Sequence, residues 1–267
     1  MDIKRIISAA IGLPLILLVL FIGNKYLMDI VISVTSIICL YEFYKAFSKK
    51  VKPIKWIGYV FAVSIMFIHL LPQNFLAEIY IGMLLLAILI AFIQCVVSKM
   101  KYNILDIAVT FIGIMYVVLS LSFISLISGM NNGNVYIWIV FIIPWMTDTF
   151  AYFIGKRIGK HKISTISPKK SWEGAIGGLL GAVIGMSIYL FIINRITQVE
   201  IHYISVIICT LLISIISQIG DFAASTIKRY VEVKDFGNLL PGHGGLLDRI
   251  DSIIFCAPFI YFILTLI

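Results

Sequence analysis

Long apolar runs recur through this chain, and they constrain its fold more than any other feature. Hydrophobic residues make up 61% of the sequence, and the mean hydropathy is +1.07. A water-soluble fold has no surface on which to place so much apolar area. The sequence also lacks the alternating ten-residue segments that are typical of a membrane β-barrel. We therefore predict an all-α, polytopic membrane helical bundle.

The hydropathy pattern predicts about nine transmembrane helices, because a spanning helix needs about 20 mostly apolar residues. We expect a single integral-membrane domain, 1–267, with N-terminal helices in 1–130 and the catalytic helices and cytoplasmic loops in 134–267. The expected spans are residues 6–23, 26–47, 55–71, 77–97, 104–128, 134–155, 172–194, 203–227 and 250–267.

The basic residues predict how the bundle is oriented. Of the 21 Lys and Arg residues, 18 fall in the segments 1–5, 48–55, 98–103, 156–171 and 228–249. Lys and Arg accumulate in cytoplasmic loops, so we place the N-terminus in the cytoplasm and the C-terminus on the opposite side. Because the net charge of +8 is spread over these short loops, we expect contact with membrane lipids and no nucleic-acid binding.

One polar segment near the end of the chain, residues 225–251, interrupts the apolar pattern. It reads STIKRYVEVKDFGNLLPGHGGLLDRID. Lys and Arg side chains neutralise phosphate oxygens, and Mg²⁺ binds through one or two carboxylates together with substrate phosphates. Glycines between them let backbone N–H groups approach an anion. This combination indicates a metal-bridged phosphate site that draws on Lys228, Arg229, Lys234, Asp235, Asp248, Arg249 and Asp251.

Composition alone leaves another interpretation open, a charged loop without any chemical role, because neither G-x-x-x-x-G-K-[ST] nor G-x-G-x-x-G is present. The segment, however, resembles the signature of the phosphatidate cytidylyltransferases, or CDP-diacylglycerol synthases. Every element of that 27-residue signature is found here: Ser225, Lys228-Arg229, Lys234-Asp235, Gly237, Pro241, His243-Gly244-Gly245, Asp248-Arg249 and Asp251.

The resemblance implies an activity and its participants. The expected enzyme transfers the cytidylyl group of CTP to phosphatidate in phospholipid biosynthesis, forming CDP-diacylglycerol and pyrophosphate. The resemblance also favours a homodimer. The distribution of basic residues places the expected active site at the cytoplasmic face, and we expect a bacterial plasma (inner) membrane because the sequence shows no added domains or targeting extensions. The resemblance also implies Mg²⁺ held by Asp221 and Asp248, with Asp251 as a helper, and leaves open a second, monovalent cation.

The remaining site residues of the segment receive roles on the same basis. We expect the cations to hold phosphates and Asp235 to be catalytic. His243 either shapes the loop through a hydrogen bond or transfers a proton. Ser225, Gly244 and Gly245 are expected to bind substrate.

A second polar loop, residues 155–174, precedes the expected span at 172–194. Ser171 is a suitable N-cap, and Glu173 in the first turn suits the helix dipole. The dipole disfavours the adjacent cations Lys169 and Lys170, so we expect them to bind an anionic substrate. The Ser-Pro-Lys-Lys-x-x-Glu-Gly pattern is similar to a second recurrent segment of the family. The resemblance thus covers Asp148 to Asp251, and the first five spans show only hydropathy.

Two acidic residues within expected spans, Asp148 and Asp221, indicate function by default, because ionisable groups are costly in a membrane. The alternative is that each pairs with a loop lysine or caps a helix. We expect Asp148 to bind substrate. Span seven also carries Gly177, Gly181 and Gly185 at four-residue spacing, which favours close helix packing within one chain or between two.

Two other functions stay open from the sequence. A CTP-dependent polyprenol or phytol kinase would transfer the γ-phosphoryl group to an uncharged hydroxyl. An ion-coupled transporter would use the intramembrane acids as an ion path and would place polar groups on both sides of the membrane. The expected polar groups crowd against one side, and the complete signature favours cytidylyl transfer.

Overall fold

The computed structural model describes residues 12, 14, 16–164, 167–197 and 203–266. Within these ranges the chain is helical, and the only β-pairing consists of two isolated bridges, Lys162 with Ser171 and Leu240 with Gly244. Seven of the described helices are long and apolar enough to cross a membrane, judged by length and composition. The prediction of an all-α polytopic membrane bundle is therefore confirmed.

The helices follow the predicted spans closely. All but α2 are among the seven long apolar helices. The named helices are α1 (Lys25–Phe47), α2 (Lys55–Phe67), α3 (Gln73–Val97), α4 (Ile104–Ser128), α5 (Gly133–Ile158), α6 (Trp172–Ile196), α7 (Tyr203–Tyr230) and α8 (Leu247–Leu266).

Two of the nine expected spans are not among the seven long apolar helices. The first, 6–23, lies mostly outside the described residues, although residues 16–22 are helical. The third, 55–71, is realised as α2, which ends at Phe67. At about 1.5 Å per residue such a helix rises roughly 20 Å, less than the about 30 Å hydrocarbon core. The count of about nine spans and their orientation stay predictions.

The chain divides into two compact units. The first combines the residues up to Gly129 with Val231–Arg249, and the second combines Met130–Tyr230 with the chain from Ile250 onward. The central part of the polar segment therefore belongs to the unit built on the N-terminal helices. A single integral-membrane domain over 1–267 stays a prediction.

A tyrosine organises the core of the first unit. Tyr44 of α1 is fully buried, and its hydroxyl donates to the carbonyl oxygen of Thr110 in α4 at 2.8 Å. A Cβ atom at Gly58 or Gly113 would collide with the Tyr44 side chain. Glycine at these two positions lets α2 and α4 approach α1, so the tyrosine ring fills the space between the three helices.

In the second unit, α5 and α6 pack through the small-residue face of α6. Cβ atoms at Gly177, Gly181 and Gly185 would meet the side chains of Ile154, Phe150 and Met146, respectively. The glycine spacing therefore serves a contact within the chain. The sequence left open whether this face packs within one chain or between two, and the structure shows it packed within one chain.

We expect Gly181→Val to destabilise the protein, because the added side chain would overlap the Phe150 ring. Overpacking of this kind costs about 1–3 kcal/mol. Thermal unfolding of the detergent-solubilised protein measures the loss. The matched control is Gly82→Val in α3, where a Cβ meets nothing within 4 Å. Equal melting temperatures for the two variants would contradict this packing.

Candidate active site

The glycine-rich part of the polar segment forms a tight turn in the first unit. The N–H of Leu240 donates to the carbonyl oxygen of Gly244 at 2.9 Å, and the N–H of Gly244 donates back to Leu240 at 3.1 Å. Gly242 and Gly244 have φ angles of 78° and 88°. Only glycine adopts such left-handed angles at little cost. The turn therefore depends on Gly244 of the signature and on Gly242, which occupies a variable position of it.

This turn lines a polar cavity of about 560 Å³, a volume usual for a small-molecule site. Five of the predicted site residues line it, and they bring two permanent cations, one acid and one histidine to a single concave surface. They are Lys234, Asp235, His243, Gly244 and Arg249, with Asn238, Leu240, Pro241 and Gly242 completing the wall. This composition suits a phosphorylated ligand.

Asp248 holds the two ends of the loop together. It lies in the first turn of α8 and is 8% exposed. Its Oδ2 atom accepts the backbone N–H groups of Phe236 at 2.8 Å and of Gly245 at 3.0 Å. Hydrogen bonds to an ionised acceptor are about twice as strong as neutral ones. The carboxylate thus fixes the backbone around the cavity.

A second carboxylate, Glu42, reaches the same loop from α1. Its side chain is 3% exposed. Oε1 accepts the N–H of Leu246 at 3.1 Å, and Oε2 accepts the N–H of Leu247 at 2.9 Å. Helix N-termini leave such N–H groups without partners and favour negative charge. Glu42 was not among the site residues predicted from the sequence, although an acid inside an apolar span was an available signal.

A separate acidic cluster lies in the second unit, where α5, α7 and α8 contribute Asp148, Asp221 and Asp251. Asp251 is 8% exposed, and the charges of Asp221, Lys228 and Asp148 act on it. The Ser252 hydroxyl donates to Asp148 Oδ2 at 3.3 Å. The structure thus brings together three acids that the sequence predicted, with one predicted cation.

Lys170 binds directly to this cluster. Its Nζ lies 2.5 Å from Asp221 Oδ2 and 3.9 Å from the centroid of the Phe222 ring. The pairing of an intramembrane acid with a loop lysine was the alternative considered for Asp221. Lys169, the neighbouring predicted residue, is exposed.

The loop that carries these lysines is held by the start of α6. Ser171 is the N-cap, and its Oγ accepts the N–H of Gly174 at 3.2 Å, which confirms the prediction. Glu173 accepts the N–H groups of Lys160 at 3.1 Å and His161 at 3.2 Å. The His161 ring nitrogen Nδ1 lies 2.6 Å from the same carboxylate. These contacts fix both ends of the loop.

The remaining predicted residues occupy the last turns of α7. Ser225 and Lys228 are half-buried, and Arg229 is exposed. All three follow Asp221 on the same helix. Their roles in substrate binding stay predictions.

The donor set of the second unit can be tested against Mg²⁺. Among the described residues, no group of three or more His, Cys, Asp or Glu side chains is arranged to hold a metal ion by itself. Mg²⁺ in nucleotide sites usually needs only one or two carboxylates together with phosphate oxygens. Asp221 and Asp251 supply carboxylates of the required hard-oxygen type. These residues therefore fit a metal that arrives with a phosphorylated substrate.

Comparison with known proteins agrees with these features. A family model described as the cytidylyltransferase family matches residues 3–267. The chain belongs to this family. A protein of Bacillus subtilis (strain 168) named phosphatidate cytidylyltransferase is 31% identical over 274 residues, which cover 99% of this chain and 98% of that protein.

Staphylococcal relatives carry the same name. Those of Staphylococcus haemolyticus (strain JCSC1435) and Staphylococcus aureus (strain COL) are 33% and 34% identical, respectively, over 264 residues. In both cases the match covers 97% of this chain and 98% of the relative. The similarity to these members of the cytidylyltransferase family therefore includes the N-terminal helices as well as the signature.

We expect a measurable coupling between Lys170 and Asp221, because their charged groups form a partly exposed ion pair. Thermal unfolding of Lys170→Met, Asp221→Asn and the double variant gives the coupling energy, which should be about 0.5–1 kcal/mol. The control cycle replaces the exposed Lys169 by Met and should be additive. Additive effects in the Lys170 cycle would contradict the pair.

Proposed function

We propose that this chain is a phosphatidate cytidylyltransferase, which transfers the cytidylyl group of CTP to phosphatidate and forms CDP-diacylglycerol and pyrophosphate. The proposal rests on one observation, that six residues of the signature line one polar cavity: Lys234, Asp235, Pro241, His243, Gly244 and Arg249. Membership in the cytidylyltransferase family and the names of full-length relatives support the same activity.

The cavity supplies groups that a nucleoside triphosphate requires. Lys234 and Arg249 line it as permanent cations, and Arg can bind phosphate oxygens with two parallel N–H donors. The turn at Gly242 and Gly244 exposes backbone without side chains, which allows close approach of an anion. We propose that the triphosphate of CTP binds at this surface.

The reaction joins two anionic phosphates. A phosphate oxygen of phosphatidate forms a bond to the α-phosphorus of CTP, and the bond from that phosphorus to the pyrophosphate oxygen breaks. A phosphomonoester is already ionised near neutral pH, so the step needs no strong general base. Catalysis then rests on positioning and charge neutralisation. For His243, shaping of the turn suits this chemistry better than proton transfer.

Mg²⁺ is the proposed cofactor, and the resemblance gives Asp221 and Asp248 as its carboxylate ligands, with Asp251 as a helper. When bound, Mg²⁺ would neutralise triphosphate oxygens and stabilise the leaving pyrophosphate. Asp221 and Asp251 belong to the acidic cluster of the second unit, and Asp248 also orders the loop backbone through two hydrogen bonds. Lys170 and Lys228 lie with the acids and can hold phosphate oxygens.

The proposed location is the cytoplasmic face of a bacterial plasma membrane. The positive-inside distribution of the loops and the bacterial relatives support it. CTP is then available to the polar loops while the acyl chains of phosphatidate stay in the bilayer. The homodimer rests on the resemblance alone, because the glycine face of α6 packs against α5.

The activity is tested with CTP labelled separately at the α- and γ-phosphates, phosphatidate and Mg²⁺, in detergent micelles. We expect α-label in the lipid product and release of pyrophosphate. Transfer of γ-label to a polyprenol acceptor would instead establish a lipid kinase. Absence of both products from a folded protein would overturn the proposal and favour transport.

Asp248→Asn should lower turnover by roughly 100-fold or more, because it removes a charge from the proposed metal site. The Asn carbonyl oxygen can still accept the N–H groups of Phe236 and Gly245, so the fold should persist. The same labelled assay measures the loss. Lys49→Ala, in an exposed loop position, is the control and should keep near-normal activity. Full activity of the Asp248 variant would remove this metal ligand from the account.

A further inference from the structure

We infer that Glu42 is a positioning residue for the nucleotide end of the active site, acting through the backbone of the glycine-rich loop. The inference rests on the proposed function, since it specifies how the CTP-binding surface keeps its shape. Glu42 lies in α1, outside the signature, and is joined to the loop across 204 and 205 positions of sequence.

The loop backbone packs directly against the Glu42 carboxylate at two glycines. A Cβ atom at Gly237 would collide with Oε1 of Glu42. At Gly245 the added atom would lie 2.5 Å from Oε2. Together with the hydrogen bonds from Leu246 and Leu247, these approaches surround one carboxylate with backbone from both ends of the loop. A larger residue at 237 or 245 would therefore have to displace the Glu42 carboxylate from this position.

The contacted backbone lies between two groups that reach the cavity. Gly244 precedes the amides that Glu42 holds, and Arg249 follows them by two residues. Both residues line the cavity wall. A shift of this backbone would displace a cation and a glycine of the proposed triphosphate surface. Glu42 touches neither substrate in this account, and its influence passes through the loop.

An ionised carboxylate is the side chain that this position requires. It accepts hydrogen bonds at both oxygens and donates none. Glutamine would place an NH₂ group against one backbone N–H and leave that buried donor without an acceptor. Aspartate keeps both acceptors but is shorter by one carbon–carbon bond, about 1.5 Å. Hydrogen bonding to the two backbone N–H groups should therefore weaken from glutamate to aspartate to glutamine, while the backbone sequence of the loop stays the same.

The test compares steady-state kinetics for CTP and for phosphatidate in the same micelles. Glu42→Gln should raise the KM for CTP about tenfold or more, with the KM for phosphatidate within about twofold of wild type. Glu42→Asp should give a smaller rise for CTP only. A variant that merely destabilises the fold would not separate the two substrates.

Asp106→Asn is the matched control. Asp106 is also a buried acid of the first unit, 2% exposed, and accepts backbone N–H groups from Lys52 at 2.5 Å and Asn103 at 2.8 Å. Those contacts order the start of α4 and do not involve the loop. The substitution should lower thermal stability and leave the KM for CTP unchanged.

Several results would overturn the inference. They are an unchanged KM for CTP in Glu42→Gln, equal rises for both substrates, or the same CTP effect in Asp106→Asn. If Glu42→Gln fails to fold, Glu42→Asp is judged by the same CTP-specific rise. A wild-type protein that forms no CDP-diacylglycerol refutes the proposed function, whereas an active wild type with unaffected Glu42 variants refutes only this inference.

Discussion

Near a membrane, backbone N–H groups outside regular helices need hydrogen-bond acceptors from the protein itself, because unsatisfied polar groups are costly where water is excluded. In the first unit, two buried carboxylates provide these acceptors. Glu42 and Asp248 together accept four backbone N–H groups, from the loop before α8 and from the first residue of α8. The shape of the polar cavity depends on these bonds, since they order the backbone that carries its lining residues.

Buried and exposed charged groups have different surroundings in the first unit of this member of the cytidylyltransferase family. The buried acids are satisfied by backbone donors, and the exposed Lys234, Asp235 and Arg249 line the cavity. In the second unit, acids from three helices lie with Lys170 and Lys228. Cations beside carboxylates are suited to phosphate chemistry, because the cations hold phosphate oxygens and the carboxylates can hold a metal.

Hydropathy predicted most of the fold because the bilayer fixes the length and composition of a spanning helix. The expected span 104–128 matches α4, whereas α2 stops short of its expected end. Local signals also identified the Ser171 cap and the glycine-rich turn. Contacts between residues far apart in the sequence could not be predicted from such local signals. Glu42 meets the loop more than 200 positions away, and Asp29 binds His69 across 40 positions at 2.9 Å. Nothing in a short stretch of sequence specifies those partners.

The proposed binding site for CTP is the loop between Lys234 and Arg249. Hydrogen–deuterium exchange of the wild-type protein in micelles, with and without CTP and Mg²⁺, tests it most directly. We predict slower exchange at the backbone amides of residues 234–249 when CTP is present, and no such change with Mg²⁺ alone. Unchanged exchange in this loop, under conditions where the enzyme is saturated with CTP, would contradict the assignment of the nucleotide site.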